Sequence, residues 1–443
     1  MNPAVLQKGL MDLAAGCQEP GFFSGMNPYE EWVRNFFPRA ADSLCGRMGA
    51  IGFPDWLIFA VLAILTSAIV LTIAALSVLY MVLLERRLLG RFQHRWGPNR
   101  VGKFGLLQPI ADALKLMTKE DVTPRAADAI VFSLAPIAFA APVLAIFAVI
   151  PWAAHTTIAN LDVGVLFAVA ISTVGEMGVF MAGWASNNRY SLFGAMRSVA
   201  MLVSYELPLV LSVGAIALLA GSLNLSRIVE AQHTAPFILF QPLGFLIFVT
   251  AISAELNRTP FDLMEAESEL VTGFHTEYSG MKWAVVQLAE YAGILAFSLV
   301  IATVFLGGWQ GPVLPGYFWI AAKAMAVIAT FVWVRATLPR LRVDQIMKLG
   351  WMFLLPLAMI NLLVTGTEVL AFPNGLPIWL IPVNFFLTVA AIFLGARMLH
   401  FHGETRNVIH PGRPVITARQ DIPWTQVANA QVGTPIPETV RRG

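Results

Sequence analysis

Nine long apolar runs dominate the sequence and leave the chain few ways to fold. They fall at about 56–84, 127–151, 163–186, 192–220, 237–256, 283–307, 317–337, 350–367 and 376–399. The bilayer's hydrocarbon layer is about 30 Å thick, so a spanning helix needs about 20 apolar residues. Each run is near or above that length. Of the 443 residues, 57% are apolar and only 13% are Asp, Glu, Lys or Arg. A soluble domain carries about 25% charged residues. Too few polar side chains are present to coat a water-facing surface, which excludes a soluble enzyme and a disordered chain. A transmembrane barrel would alternate in ten-residue segments, whereas these runs are continuous. The reading is an all-α polytopic membrane protein with about nine transmembrane helices. The first run is long enough to tilt or project. The fifth is interrupted by Pro242 and Gly244, so its limits are open. Neither a short repeat nor an inverted repeat is visible.

The net charge of +2 says little, but the distribution of charge sets an orientation. Basic residues crowd the segments after the first, third and seventh runs: Arg86 to Arg125, Arg189, and Arg335 to Lys348. Segments 152–162, 308–316 and 368–375 contain no Lys or Arg. By the positive-inside rule the amino terminus is outside and odd-numbered loops are cytoplasmic. A ninth span returns the tail, with Arg397 and Arg406, to the cytoplasm. Three regions follow: an amino-terminal extension 1–55, an eight-helix membrane domain 56–367, and a carboxyl-terminal extension 368–443 with the ninth helix and a polar tail. No cleaved signal peptide is expected. Cys17 and Cys45 cannot build a disulfide scaffold or a metal site. Between themselves they either pair outside or pack as apolar residues. His94, His275, His400 and His402 lack ligand spacing, so no metal is expected.

The first inner segment begins Glu85-Arg86-Arg87 and runs through Gly90, Gly97-Pro98-Asn99, Gly102 and Gly105. That density of glycine and proline predicts a turning connection rather than a helix. After it, Leu106, Ile110, Leu114 and Met117 share one helical face, the pattern of an interfacial amphipathic helix. A basic loop resting on anionic lipid fits this composition, whereas the membrane context argues against nucleic acid.

The loop after the fifth run breaks the basic pattern with Glu255, Arg258, Asp262, Glu265, Glu267, Glu269 and Glu277. Thr259-Pro260-Phe261-Asp262 has the form of a helix start, with Thr as N-cap and Pro at the first position. On such a helix Asp262, Glu265 and Glu269 form one stripe. Like charges at those spacings repel, and clustered acids with little solvent can store or pass protons. A solvated acidic loop and a proton-handling or partner-binding site are both open. Charges also sit inside runs: Glu176, Glu206 beside Pro208, Glu290 and Lys323. Each costs at least about 2.5 kcal/mol to insert and needs a partner or water. For Glu206 a titratable site and a hydrogen-bonded packing residue are both open, while Lys323 reads as a snorkelling cation.

Long ordered motifs then point to a family. Glu85-Arg86-Arg87…Arg95-Trp96-Gly97-Pro98-Asn99…Gly105-Leu106-Leu107-Gln108-Pro109-Ile110-Ala111-Asp112 resembles the first inner loop of the H subunit of NADH–quinone oxidoreductase, respiratory complex I. So do Ala182-Gly183-Trp184-Ala185-Ser186-Asn187-Asn188, Ser204-Tyr205-Glu206, and Glu255-Leu256-Asn257-Arg258-Thr259-Pro260-Phe261-Asp262-Leu263 with Glu269-Leu270 and Glu277-Tyr278. Arg335-Ala336, Pro339-Arg340, Arg342 and Asp344-Gln345 complete the set. The likeness covers about residues 56–366.

The resemblance implies a bacterial inner-membrane component without prosthetic groups of its own. It would join an electron-carrying soluble arm to a proton-pumping membrane arm, with soluble iron–sulfur and quinone-site subunits and small membrane subunits as partners. Quinone, ubiquinone or menaquinone, would be the substrate shared with those neighbours. Arg86, Arg95, Arg258, Phe261, Arg340 and Arg342 would shape the quinone chamber. Glu255, Arg258, Asp262, Glu265, Glu267 and Glu269 would form a charged funnel leading from it, connected by Glu206, Glu277 and Glu290 to the membrane's charged axis. Three positions depart from the family pattern: Met201 stands in place of a glutamine, Leu256 in place of a threonine, and Glu176 is an added mid-span acid. The ninth span and the front extension are departures too. A homologous membrane component of an energy-converting hydrogenase or formate hydrogenlyase is the near alternative, and a secondary transporter or channel the distant one.

Overall fold

In a computed structural model, the protein is described over residues 55–154, 157, 159–263, 272–372 and 377–398. Cys17, Cys45, Glu265, Glu267, Glu269, His400, His402 and Arg406 lie outside the described residues.

Among the described residues all regular structure is helical. The helices are α1 (Asp55–Phe92), α2 (Gln108–Thr118), α3 (Ala129–Ile146), α4 (Gly164–Ala185), α5 (Arg189–Ala220), the short α6 (Leu225–Ala231), α7 (Pro242–Glu255), α8 (Gly280–Phe305), α9 (Gly316–Thr337), α10 (Val343–Lys348), α11 (Leu355–Ala371) and α12 (Leu380–Met398). A π-helical turn, Leu349–Leu354, fuses α10 and α11. Among the described residues six helical stretches are long and apolar enough to cross a membrane: α3, α4, α5, α8, α9 and the continuous Val343–Ala371. Pro242–Glu255 and Leu380–Phe393 are shorter apolar stretches. Each predicted apolar run overlaps helical structure among the described residues, although the fifth is divided between two helices.

Packing decides which helices are central. α8 contacts α1, α3 and α9, and its second half, Ala296 through Phe305, is buried at every position. α4 approaches α3 and α5 closely because it carries small residues where the helices meet. A Cβ on Gly178 would lie 2.6 Å from the Phe139 backbone nitrogen, and one on Gly183 would overlap the Ala195 Cβ. A second, smaller core joins Phe132, Val179, Ala195, Phe274, Tyr278 and Val286. There the Phe132 and Tyr278 rings stack at 4.1 Å, and the Tyr278 hydroxyl donates to the Phe132 carbonyl at 3.1 Å. Burial pushes that hydroxyl above its ordinary pKa, which keeps it a donor.

Four expectations need correction. α1 does not stop near residue 84 but runs through Glu85, Arg86, Arg87 and Gly90 to Phe92, 38 residues or about 57 Å at 1.5 Å each. The turning connection begins only at Gln93. It is tight there: Gly105 has φ +73°, and a Cβ on it would overlap the Pro98 carbonyl oxygen. The fifth run is not one helix. A single turn, Phe237–Phe240, is followed by Gln241 and then by α7, with Pro242 at a first position where no N–H is needed. No helix starts at Thr259. Residues 259–263 form turns, the Phe261 N–H bonds the Arg258 carbonyl and the Leu341 N–H bonds the Pro260 carbonyl. Burial of Phe261 and Leu263, 3% and 1% exposed, draws this segment into the core. Finally, Lys323 does not snorkel to solvent. Its ammonium donates to the carbonyls of Gly308 and Gln310 at 2.9 and 2.7 Å and ties α9 to the loop before it.

Candidate functional site: a carboxylate cavity beside an arginine clamp

The sequence places acids in apolar helices, and the packing gives each its partner. Glu85, at the end of the apolar part of α1, is 4% exposed. Arg258, from the loop after α7, meets its Oε1 at 3.3 Å, and Arg335 of α9 makes a short contact with the same oxygen. The Arg258 guanidinium also stacks over the Tyr291 ring at 4.6 Å, and the Tyr291 hydroxyl bonds Glu85. Four elements are thus joined at one buried charge. Neither Glu85 nor Arg335 stands out as a site residue from sequence. The available signal is that Glu85 is the first charge after the apolar run 56–84, where it stays buried if the helix does not end.

A different group of acids surrounds a small cavity of about 40 Å³. Its walls come from α3 (Phe139, Val143), α4 (Ser172, Glu176), α5 (Leu202), α7 and its exit (Glu255, Leu256) and α8 (Glu290, Phe297). The cavity has room for a few water molecules, since one needs about 10–15 Å³. Ser172 lies within hydrogen-bonding reach of Glu255 and bonds the Val169 carbonyl at 2.7 Å. Glu206 lies just beyond the lining, one turn along α5 from Leu202, where it accepts from the Thr173 hydroxyl at 2.7 Å. Glu176, Glu206 and Glu255 are near enough to interact through their charges.

The structure thus brings together Glu206, Glu255 and Glu290 of the predicted proton-coupling residues and adds Glu176. Glu277 does not line the cavity. Its Oε1 accepts from Asn188 at 2.7 Å, and Asn188 also caps α5 by accepting from the Tyr190 N–H at 3.0 Å. Asp262 sits in the irregular segment after α7. Of the predicted chamber residues, Arg258 belongs to the Glu85 clamp. Arg86 pairs with Asp112 at 2.8 Å and anchors α2, helped by Gln108, which donates to Asp112 at 3.0 Å. Arg95 bonds Gln93 at 2.6 Å in the exposed turn. Phe261 is buried, edge-on to Tyr205 at 5.2 Å. Arg340 is half-buried and Arg342 is exposed; both lie on the segment between α9 and α10, which Arg342 ends by capping α10. The apolar face of α2 is exposed at Ile110, Leu114 and Met117, and Trp96 just before it is 83% exposed.

The π turn and α10 support the same region. Trp351 donates to the Ser204 hydroxyl at 3.0 Å, and the Tyr205 hydroxyl donates to the Ile346 carbonyl at 2.9 Å. Both contacts are made at the two residues that precede Glu206 on α5. Among the described residues no group of three His, Cys, Asp or Glu side chains is close enough to hold a metal ion.

Residues 65–366 match the family model described as NADH dehydrogenase. A protein of Dehalococcoides mccartyi (strain CBDB1), named as the H subunit of NADH-quinone oxidoreductase, is 54% identical over 327 residues, which cover 74% of this chain and 92% of that one. One of Geobacter sulfurreducens, named as its second NADH-quinone oxidoreductase H subunit, is 52% identical over 307 residues, 67% of this chain and 92% of the relative. The H subunit of NADH-quinone oxidoreductase from Bacillus cytotoxicus is 51% identical over 306 residues, 68% and 92%. With about half of the aligned residues identical across nearly the whole length of such relatives, and with the motif-bearing loops inside the matched range, the chain belongs to the family of NADH-quinone oxidoreductase H subunits.

Proposed function

We propose that this chain encloses much of the quinone-access chamber of a proton-pumping NADH–quinone oxidoreductase and couples quinone reduction to proton movement through its buried acids. As a member of the H-subunit family, it is a membrane component of that multi-subunit oxidoreductase. The observation that carries the finer reading is the cavity shared by Glu255 and Glu290 with Glu206 beside it. Acids held so close in limited solvent respond to one another's protonation. Reducing a quinone to quinol takes up two protons, and that change of charge near the loop after α7 shifts the acids below it. The chain supplies no redox centre. Electrons come from NADH through soluble partner subunits, and quinone enters from the bilayer past the exposed apolar face of α2.

In this reading Arg86, Arg95, Arg340 and Arg342 edge the chamber, Phe261 backs it, and Arg258 fixes its floor to Glu85. Asp262, with Glu265, Glu267, Glu269 and Glu277, leads from the chamber toward the cavity. The chain crosses the bacterial inner membrane nine times, amino terminus periplasmic and carboxyl terminus cytoplasmic. Reporter fusions before Trp56 and after Arg406 test that topology, and a periplasmic signal from the second removes the ninth span.

The coupling role is tested with Glu206→Gln in the assembled complex. The substitution keeps volume and hydrogen bonding but removes the titratable proton. NADH oxidation with an artificial acceptor is expected to persist, while quinone-linked turnover and pumping fall. Glu206→Asp is expected to be milder. Normal pumping in assembled Glu206→Gln complex overturns the coupling role of this residue.

A further inference from the structure

We propose that Glu176 is an additional proton-carrying residue of this protein, exchanging protons with Glu255 and Glu290 through water in their shared cavity. The inference rests on the coupling reading above and adds a residue to it. Glu176 is 7% exposed and lines the cavity. Its Oε1 is buried and makes no hydrogen bond among the described residues. A buried carboxylate oxygen without a partner is costly. A proton on the carboxyl, or a water against it, removes that cost, and the cavity has room for such water. A carboxyl present only to pack would be expected to find a donor from its neighbours, as Glu206 does from Thr173 at 2.7 Å.

The surroundings favour exchange over fixed pairing. Ser172 precedes Glu176 by four residues and lines the cavity with it, on one face of α4. It reaches Glu255 on the far wall. The titratable groups that line the cavity are Glu176 from α4, Glu255 from α7 and Glu290 from α8, with Glu206 of α5 adjoining, while α3 contributes only Phe139 and Val143. The step is a proton transfer alone. Protonated Glu176 gives its proton to a cavity water as that water gives one to the Glu255 carboxylate. Glu176, now a carboxylate, regains a proton through the same water from protonated Glu290.

The test uses the assembled complex in proteoliposomes, with artificial-acceptor NADH oxidation as the count of assembled complex. E176Q is compared with E255Q and wild type. The expected result is a smaller pH gradient per quinone reduced in E176Q and an altered pH profile of quinone-linked turnover, partly restored in E176D. If E255Q is impaired while E176Q matches wild type in both readouts, the inference about Glu176 is overturned and the coupling reading stands. Wild-type behaviour in E255Q and E176Q alike overturns the coupling reading itself. If E176Q does not assemble, the pH profile of E176D decides: a shifted profile supports the proposal and a wild-type profile overturns it. Failure of both variants to assemble marks a structural carboxylate and also overturns it.

Discussion

Glu85 and Glu176 are both glutamates buried in helices of one bundle, 4% and 7% exposed, yet their surroundings are opposite. Glu85 is met by two guanidiniums and a tyrosine hydroxyl. Arginine keeps its charge at any working pH, so this carboxylate has a permanent counter-charge and a fixed place. Glu176 faces two other acids across a small cavity and has one oxygen without a donor. The first arrangement ties α1, α9 and the loop after α7 together; the second, in the proposed reading, leaves a carboxyl whose protonation can change. Burial alone therefore does not distinguish a structural acid from a proton carrier. The sign and freedom of its neighbours do.

The largest expected effect comes from breaking the clamp. Glu85→Ala leaves Arg258 and Arg335 facing each other without the carboxylate, and removing one partner of a buried ion pair costs about 3–5 kcal/mol. The expected outcome is loss of the assembled protein from the membrane, or a lower Tm of the purified complex. Wild-type assembly and Tm in that variant would place the clamp among the dispensable contacts.

Glu255→Gln strikes the other side of the comparison. Assembly is expected to survive, because the amide retains the hydrogen bond with Ser172. Quinone-linked turnover is expected to fall on the order of 10²-fold, the usual loss for one proton-transfer group, or about 2.7 kcal/mol of barrier. A stability loss with normal turnover would move Glu255 into the structural class with Glu85.

Lys323→Met is a cation counterpart. It removes the charged donor to the carbonyls of Gly308 and Gln310, a loss of about 1.5–3 kcal/mol. Turnover per assembled complex is expected to be unchanged, and altered pumping would mean that this lysine belongs to the proton route. The smallest effect belongs to Arg86→Ala. Its partner Asp112 is close, at 2.8 Å, but the arginine side chain is 50% exposed. An exposed pair contributes about 0–1 kcal/mol and is screened by salt. A stability loss that persists at high ionic strength would show that α2 needs this pair for more than surface pairing.

The sequence by itself determined the all-helical membrane character, the basic loops and the family, because hydropathy, loop charge and motif order are local properties of a chain. The last described helix, α12, falls within the ninth predicted run, although its apolar stretch is shorter than those of the six candidate spans. Local signals misjudge the ends. Glycine and proline suggest a turn from Glu85 onward, and Thr259-Pro260 suggests a helix start. In each place a distant contact overrides propensity. Glu85 meets Arg258 and Arg335 from 173 and 250 positions away, which holds the end of α1 in the core. Phe261 is drawn against Tyr205 instead of opening a helix. Only the tertiary structure decided which acids share a cavity and which are neutralised. A buried charge in a low-dielectric interior is governed by what lies within a few ångströms of it. Those neighbours come from helices that packing, and not chain order, brings together.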